Sequence, residues 1–307
     1  MKKKSRVKIY KEHLPLFLML LPGLLYLLIN NYIPMAGIVI AFKKINFAKG
    51  IFASPWAGLE NFKFLFSSND AWIITRNTLL YNVAFIFVNM VVGIAIAILI
   101  CEVRNTKLKK LYQSAILLPF LMSMVILSYI VYALLSSENG LVNNTILEAL
   151  HIDSIQWYQE PKYWPVILIV ANCWKGVGYG CLIYIASLIG IDPAYYEAAR
   201  LDGASKWQEI TKITLPCLVP TIITLLLLSI GRIFYSDFGL FYQVPMNSGV
   251  LFPTTNVIDT YVYRALIEQG NISMSSAAGV YQSLVGFVVV MISNWIVRRV
   301  DKDQALF

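Results

Sequence analysis

Charge is scarce in this chain. Asp, Glu, Lys and Arg make up 14% of its 307 residues, against about a quarter in soluble domains. That excludes an ordinary water-facing globule and leaves a membrane composition. Histidine is scarcer still, with only His13 and His151, both bordering apolar stretches. The four cysteines, Cys101, Cys173, Cys181 and Cys217, show no CxxC spacing, so neither a metal cluster nor a disulfide framework is expected. No GxxxxGKS or GxxxxGKT phosphate loop occurs, so the chain is not expected to bind or hydrolyse ATP itself. No HExxH and no Ser/His/Asp set is visible, which argues against an enzyme. Carboxylates within the apolar runs are few, which disfavours an ion- or proton-coupled secondary transporter or channel acting alone.

What is present is apolar. Hydrophobic residues make up 58% of the chain, and mean hydropathy is +0.65. A helix crossing a bilayer core takes about 20 such residues. Six stretches qualify, at 14–42, 79–101, 115–135, 163–189, 214–236 and 277–297. Backbone in lipid must satisfy its own hydrogen bonds, so the fold class is an all-α membrane protein with six transmembrane helices. Pro15, Pro22, Gly23 and Pro34 predict kinks or a broken end in the first. That first stretch follows basic residues, as a signal core does. It is too long for one and has no nearby small-x-small cleavage site, so it is expected to remain as a span. The resulting organisation is a basic N-terminus (1–13), a first helix (14–42), an external segment (43–78), a five-helix core (79–297) and a tail (298–307). Aromatics and prolines in the external segments, such as Trp56, Trp157 and Pro161, predict short helices capping the outer face.

The net charge of +8 is placed for a membrane and not for nucleic acid. Six of the 25 Lys and Arg residues fall in the first eleven positions, beside an apolar run, where anionic lipid headgroups attract them. Sixteen lie in the N-terminus, the 102–114 and 190–213 loops and the tail, against seven in the longer segments between the other span ends. The positive-inside rule then puts both termini and the 190–213 loop in the cytoplasm. Lys43, Lys44, Lys49, Lys63 and Arg76 run against the rule and are outvoted.

The 190–213 loop has its own helix signals. Asp192 followed by Pro193 is an N-cap with proline at the first helical position. Residues 197–201, EAARL, are good helix formers, and Gly203 is a helix stop. Ser205 with Gln208 forms a capping box for a second short helix. The loop lacks the broad apolar face and many basic residues of a helix that lies on lipid. Small Ala198 and Ala199 allow a protein partner to approach closely, and Glu197, Arg200 and Asp202 are placed to pair with its charges.

Residues 197–216 read EAARLDGASKWQEITKITLP, with Glu197, Ala198, Ala199, Gly203, Ile213, Leu215 and Pro216 at fixed spacing. This resembles the EAA motif of permease subunits of binding-protein-dependent ABC importers. The stretches LPLFLMLLPGLLYLLINNYIPMAGIVIAFKKIN, WAGLENFKFLF and TTNVIDTYVYRALI are similar to the carbohydrate branch, in particular its polysaccharide-type, lipoprotein-permease-B-like members. The resemblance covers nearly the whole chain and implies a type I importer permease fold with a MetI-like core in a bacterial cell membrane. By it, Glu197, Ala198, Ala199, Arg200, Asp202 and Gly203 belong to a coupling helix seated in a cytoplasmic ATPase. The implied partners are a second, homologous permease, two ATP-binding subunits that hold ATP and Mg2+, an extracellular solute-binding lipoprotein and an oligosaccharide. Unlike maltose-type permeases, this chain has no extra N-terminal spans and no large external domain.

Charged side chains inside a bilayer are functional candidates by default. Lys175 falls mid-span, Arg232 lies near the outer end of the fifth stretch, and Asp237 follows it. They form either a structural set, with Arg232 pairing Asp237 and Lys175 snorkelling, or a polar lining of a translocation path. Asn172, Trp174, Tyr179 and Tyr235 lie near them, and Asn89 and Gln282 offer further amides. Rings stack on sugar C–H faces and amides meet hydroxyls, although Trp and Tyr also populate interfaces without a ligand. Two cations with few carboxylates point to a path tolerant of acidic, uronate-containing sugars. Gly176, Gly178 and Gly180 allow close helix packing or a locally unwound path.

Overall fold

Long runs of Leu, Ile, Val and Ala can satisfy their peptide groups in lipid only by coiling. In the computed structural model, which describes residues 6–67 and 69–300, helix follows helix and no strand is present among the described residues. Lys2, Lys3, Lys4 and Lys302, counted above for orientation, lie outside those residues. Five helices are long and apolar enough to cross a membrane, or six when one sharply bent pair is taken as a single span.

The first span runs through Arg6–Leu27 and continues as a wide turn (Leu28–Tyr32), a short helix (Ile33–Met35) and a tight 3-10 end (Ala36–Phe42). The irregular stretch contains Pro34, in keeping with the expected kinks. None of its most apolar window is buried against the rest of the chain. The second span, Asp70–Glu102, begins at Asp70 and not at 79. Hydropathy marks only the part of a helix that meets lipid. The earlier turns are held by polar contacts: Asn77 donates to the Asn256 carbonyl at 2.9 Å, and Thr78 Oγ1 accepts from the Ile258 N–H at 3.0 Å.

The third stretch, expected as one helix over 115–135, is two helices, Thr106–Leu121 and Met124–Leu135, meeting at 95°. Pro119 sits at the end of the first, where its ring disrupts the turn. Met122 is extended, and Ser123 Oγ caps the second helix by accepting from the Ile126 N–H. The fourth span is Trp164–Ile189. The fifth, expected over 214–236, is Leu215–Ile230 after a wide turn at Ile210–Thr214 and stops at Gly231. Arg232 and Tyr235 are therefore in a turn beyond the helix. The sixth is Ile272–Val300.

The second and fourth spans form the centre of the core. Tyr81, Phe85, Leu168 and Ala171 pack there with Leu127, Leu240 and Phe241, and Trp164 is fully buried with its indole N–H on the Trp157 carbonyl at 2.8 Å. The first half of the third span crosses the fourth at Gly178, where a Cβ would stand 2.8 Å from the Ile116 carbonyl carbon and closer still to its oxygen. Short helices at Glu60–Ser67, Phe238–Gln243, Phe252–Thr255 and Ile258–Tyr263 form a cap at one end, as the external segments predict. Arg264 is buried in that cap, over the Phe252 ring and donating to Asn247, Asn256 and Thr260.

Candidate functional site

The loop between the fourth and fifth spans folds as its residue order dictates. Asp192 caps the helix Pro193–Leu201 by accepting from the Ala194 N–H at 2.9 Å. Gly203 adopts φ +80°, the left-handed conformation a side chain resists. Ser205 and Gln208 exchange both bonds of the capping box at the start of Lys206–Glu209. Glu197, Ala198, Asp202 and Gly203 are exposed and Ala199 is half-buried. Leu201 is 89% exposed and Trp207 72%, apolar surface that this helix pair does not cover itself. Arg200 is placed differently from expectation. Its guanidinium donates to Glu209 at 2.8 Å, so its charge is engaged within the chain. That bond, more than simple proximity, lifts the Arg200 pKa above its usual value.

Deeper along the same bundle, the second, fourth and fifth spans border an open, largely apolar cavity of about 360 Å³. Asn172, Tyr179 and Asp237, three of the residues singled out in the sequence, line it with Asn82, Asn89 and Ser229. Asn89 donates to Asn172 at 2.8 Å across the two spans. Its own Oδ1 is buried and accepts no hydrogen bond among the described residues. Buried polar atoms are nearly always paired, and an orphan costs about 1–3 kcal/mol. That atom is shielded from the cavity, so the orphan is a cost of the Asn89–Asn172 pairing and not an acceptor open to a ligand. Asn82 and Ser229 gave no signal in the sequence beyond being polar within apolar runs.

Lys175 does not line the cavity wall. Its ammonium donates to the Phe120 carbonyl at 2.9 Å and the Met122 carbonyl at 2.7 Å, the groups released where the third span breaks. A cation at a helix C-terminus is favoured by the helix dipole as well as by these bonds. Phe120 stacks on Tyr179 with ring centres 5.0 Å apart, linking the break to the cavity. Trp174 lies apart, in an apolar groove with Leu127, Val131, Val166 and Val170. Arg232 and Tyr235 are exposed in the turn after Gly231. Asp237 makes no ion pair with Arg232 among the described residues; its carboxylate instead accepts from the Leu240 N–H as a helix cap. No group of three or more potential metal ligands occurs among the described residues.

A multi-span helical bundle with an open cavity between its spans, where a few amides interrupt an apolar wall, and a capped helix pair on one connecting loop fits a membrane transport component. The chain belongs to the binding-protein-dependent transport system inner membrane component family, which matches residues 89–302. It is 34% identical over 293 residues to the polygalacturonan/rhamnogalacturonan transport system permease protein YteP of Bacillus subtilis, covering 94% of this chain and 89% of that one. It is 33% identical to Protein LplB of the same organism over 288 residues, 94% of this chain and 90% of that one. The fold matches a permease in the crystal structure of a bacterial ABC transporter involved in the import of the acidic polysaccharide alginate. That match has a TM-score of 0.88 and 34% identity, and covers 97% of this chain and all of the other. The match extends to a crystal structure of a bacterial alginate ABC transporter in complex with an alginate pentasaccharide-bound periplasmic protein, with a TM-score of 0.86, 33% identity and coverage of 96% and 98%. The chain is thus a sugar-type ABC importer permease by family and fold, a membrane protein and a transport subunit.

Proposed function

We propose that this permease moves a uronate-containing oligosaccharide into a bacterial cell, driven by ATP hydrolysed on other subunits. Both termini face the cytoplasm. An extracellular solute-binding lipoprotein delivers the sugar, a second homologous permease closes the other side of the path, and two ATPase subunits holding ATP and Mg2+ seat the helix Pro193–Leu201. Glu197, Ala198, Ala199, Asp202 and Gly203 form the seat, with Arg200 holding its shape from within.

The observation that carries this is the open cavity between the spans, where Asn82, Asn89 and Asn172 interrupt an apolar wall. Its volume falls in the range of small-ligand sites, and the amides of Asn82 and Asn172 and the ring of Tyr179 present the acceptors, donors and stacking face that a pyranose uses. Support for an acidic cargo comes from the relatives named for polygalacturonan and alginate. Lys175 adds to it. Residues three and four apart share a helix face, so Lys175 lies on the stripe of Asn172 and Tyr179. An ammonium has three N–H donors, and two of the Lys175 donors are used on the broken helix. The third, beside the cavity and not in its wall, serves a sugar carboxylate that passes the break in the third span.

Uptake into proteoliposomes carrying the complete importer tests this with labelled trigalacturonate. Lys175→Ala is expected to reduce uptake about tenfold, as a lost charge-assisted hydrogen bond of about 1.5 kcal/mol implies. Lys175→Arg should retain most of it. Asn172→Leu should raise the half-saturating concentration within the membrane path about fivefold, for one hydrogen bond of about 1 kcal/mol. Acidic uptake left intact by both Lys175→Ala and Arg232→Ala would overturn the acidic-cargo assignment.

A further inference from the structure

Four side chains of alternating charge connect the loop helices to the end of the second span. Arg200, on Pro193–Leu201, donates to both carboxylate oxygens of Glu209, at 2.8 and 3.4 Å. Lys206 donates to Glu209 at 3.0 Å and to the carboxylate of Glu102, at 3.1 Å to Oε2. Glu102 is the last residue of the second span. Glu209 is the centre of this chain: its side chain is 4% exposed, whereas those of Arg200 and Lys206 are each 56% exposed. A carboxylate is buried at that level only when its charge is matched, because removing one partner leaves an uncompensated ion. The sequence motif does not fix position 209, and nothing in the loop's helix caps requires an acid there.

The middle of the same span carries Asn82 and Asn89 at the cavity. A rigid helix therefore runs from Glu102 to the cavity, and the ionic link joins its end to the helix that meets the ATPase. We propose that Glu209 is a positioning residue: through Arg200 and Lys206 it fastens the coupling helix to the second span, and this link sets how much sugar is moved per ATP. The proposal rests on Pro193–Leu201 being the ATPase seat.

The test is a reconstituted importer, with ATP hydrolysis and trigalacturonate uptake measured on the same vesicles. Glu102→Gln removes the outer bond at an exposed position and leaves the fold intact, and Lys206→Met removes it together with one of the two links to Glu209. Each is expected to lower sugar moved per ATP two- to fivefold, the effect of one exposed pair, with complex assembly and basal hydrolysis unchanged. The double variant should lose no more than Lys206→Met alone, because Glu102 acts only through Lys206. Glu209→Gln should lower the same ratio further. If it fails to assemble, the Glu102 and Lys206 variants decide alone. An unchanged ratio in those two variants, or strictly additive losses, overturns the proposal. If Glu197→Lys abolishes uptake while Glu102→Gln leaves the ratio intact, the seat stands and only the link fails. If Glu197→Lys has no effect, the seat itself is wrong.

Discussion

Glu197→Lys is expected to abolish ATP-driven uptake while the protein still inserts, folds and assembles with its second permease. Glu197 is exposed on the helix Pro193–Leu201 and makes no hydrogen bond or ion pair within the chain among the described residues. Reversing its charge therefore leaves the internal packing untouched. A protein partner that meets this helix feels the change in full, since like charges placed across an interface cost several kcal/mol. A loss of 3 kcal/mol, on the order of 150-fold, leaves the ATPase unseated at ordinary concentrations. The measurements are substrate-stimulated ATP hydrolysis, co-purification of the ATPase and uptake, with melting behaviour as the control for folding. Arg200→Glu is a poorer test, because Arg200 holds buried Glu209 and its loss damages the loop itself. Unchanged uptake in Glu197→Lys would count against docking at this helix.

Gly178→Ala is expected to have the largest effect on stability. The backbone of Thr106–Leu121 passes so close to Gly178 that one methyl group meets the carbonyl of Ile116. A flexible side chain can swing aside; a carbonyl in a helix cannot. The two helices must separate, losing contacts along their crossing, and overpacking of this kind costs about 1–3 kcal/mol. Gly176 provides a contrast of opposite sign. No atom lies within 4 Å of a Cβ added there, and alanine is favoured over glycine inside a helix by about 0.5–1 kcal/mol. Thermal unfolding in detergent should show Gly178→Ala melting well below the parent and Gly176→Ala at or above it. Equal melting of the two variants would contradict the crossing geometry. Separation at this crossing would also disturb the Lys175 bonds to Phe120 and Met122, so Gly178→Ala should lose transport as well.

Much of the fold is legible in the residues because lipid leaves helices few alternatives. The caps at Asp192 and Ser205, the turn at Gly203 and the helix pair between them can be read residue by residue, since each is a local hydrogen-bond requirement. The 95° break in the third span is not legible in that way. Pro119 signals a disturbance there, but whether a span kinks or breaks depends on a cation from another helix, Lys175, arriving to hold the freed carbonyls. The same physics explains why the charges were hard to assign. A lysine in a membrane span reads as functional, yet which of its three donors are already spent is a matter of tertiary contact. Arg232 looked like a path residue because hydropathy continues past Gly231, whereas the helix stops there. Asn89 and Asn172 could be named as amides within apolar runs, but their pairing across two spans, and the orphan acceptor it leaves, depend on helix rotation. Glu209 was invisible because its importance lies in a tertiary bond to Arg200, on another helix, and in the link that Lys206 makes onward to Glu102.

The most direct test of the central claim is vectorial uptake in proteoliposomes that contain this chain, its second permease and the ATPase, with the sugar-loaded binding protein outside and ATP within. The account predicts accumulation of trigalacturonate that requires ATP, the binding protein and the ATPase together, exceeds that of maltotriose, and is lost in Glu197→Lys. Accumulation that persists without the ATPase, or that follows an imposed proton or sodium gradient instead of ATP, would contradict it.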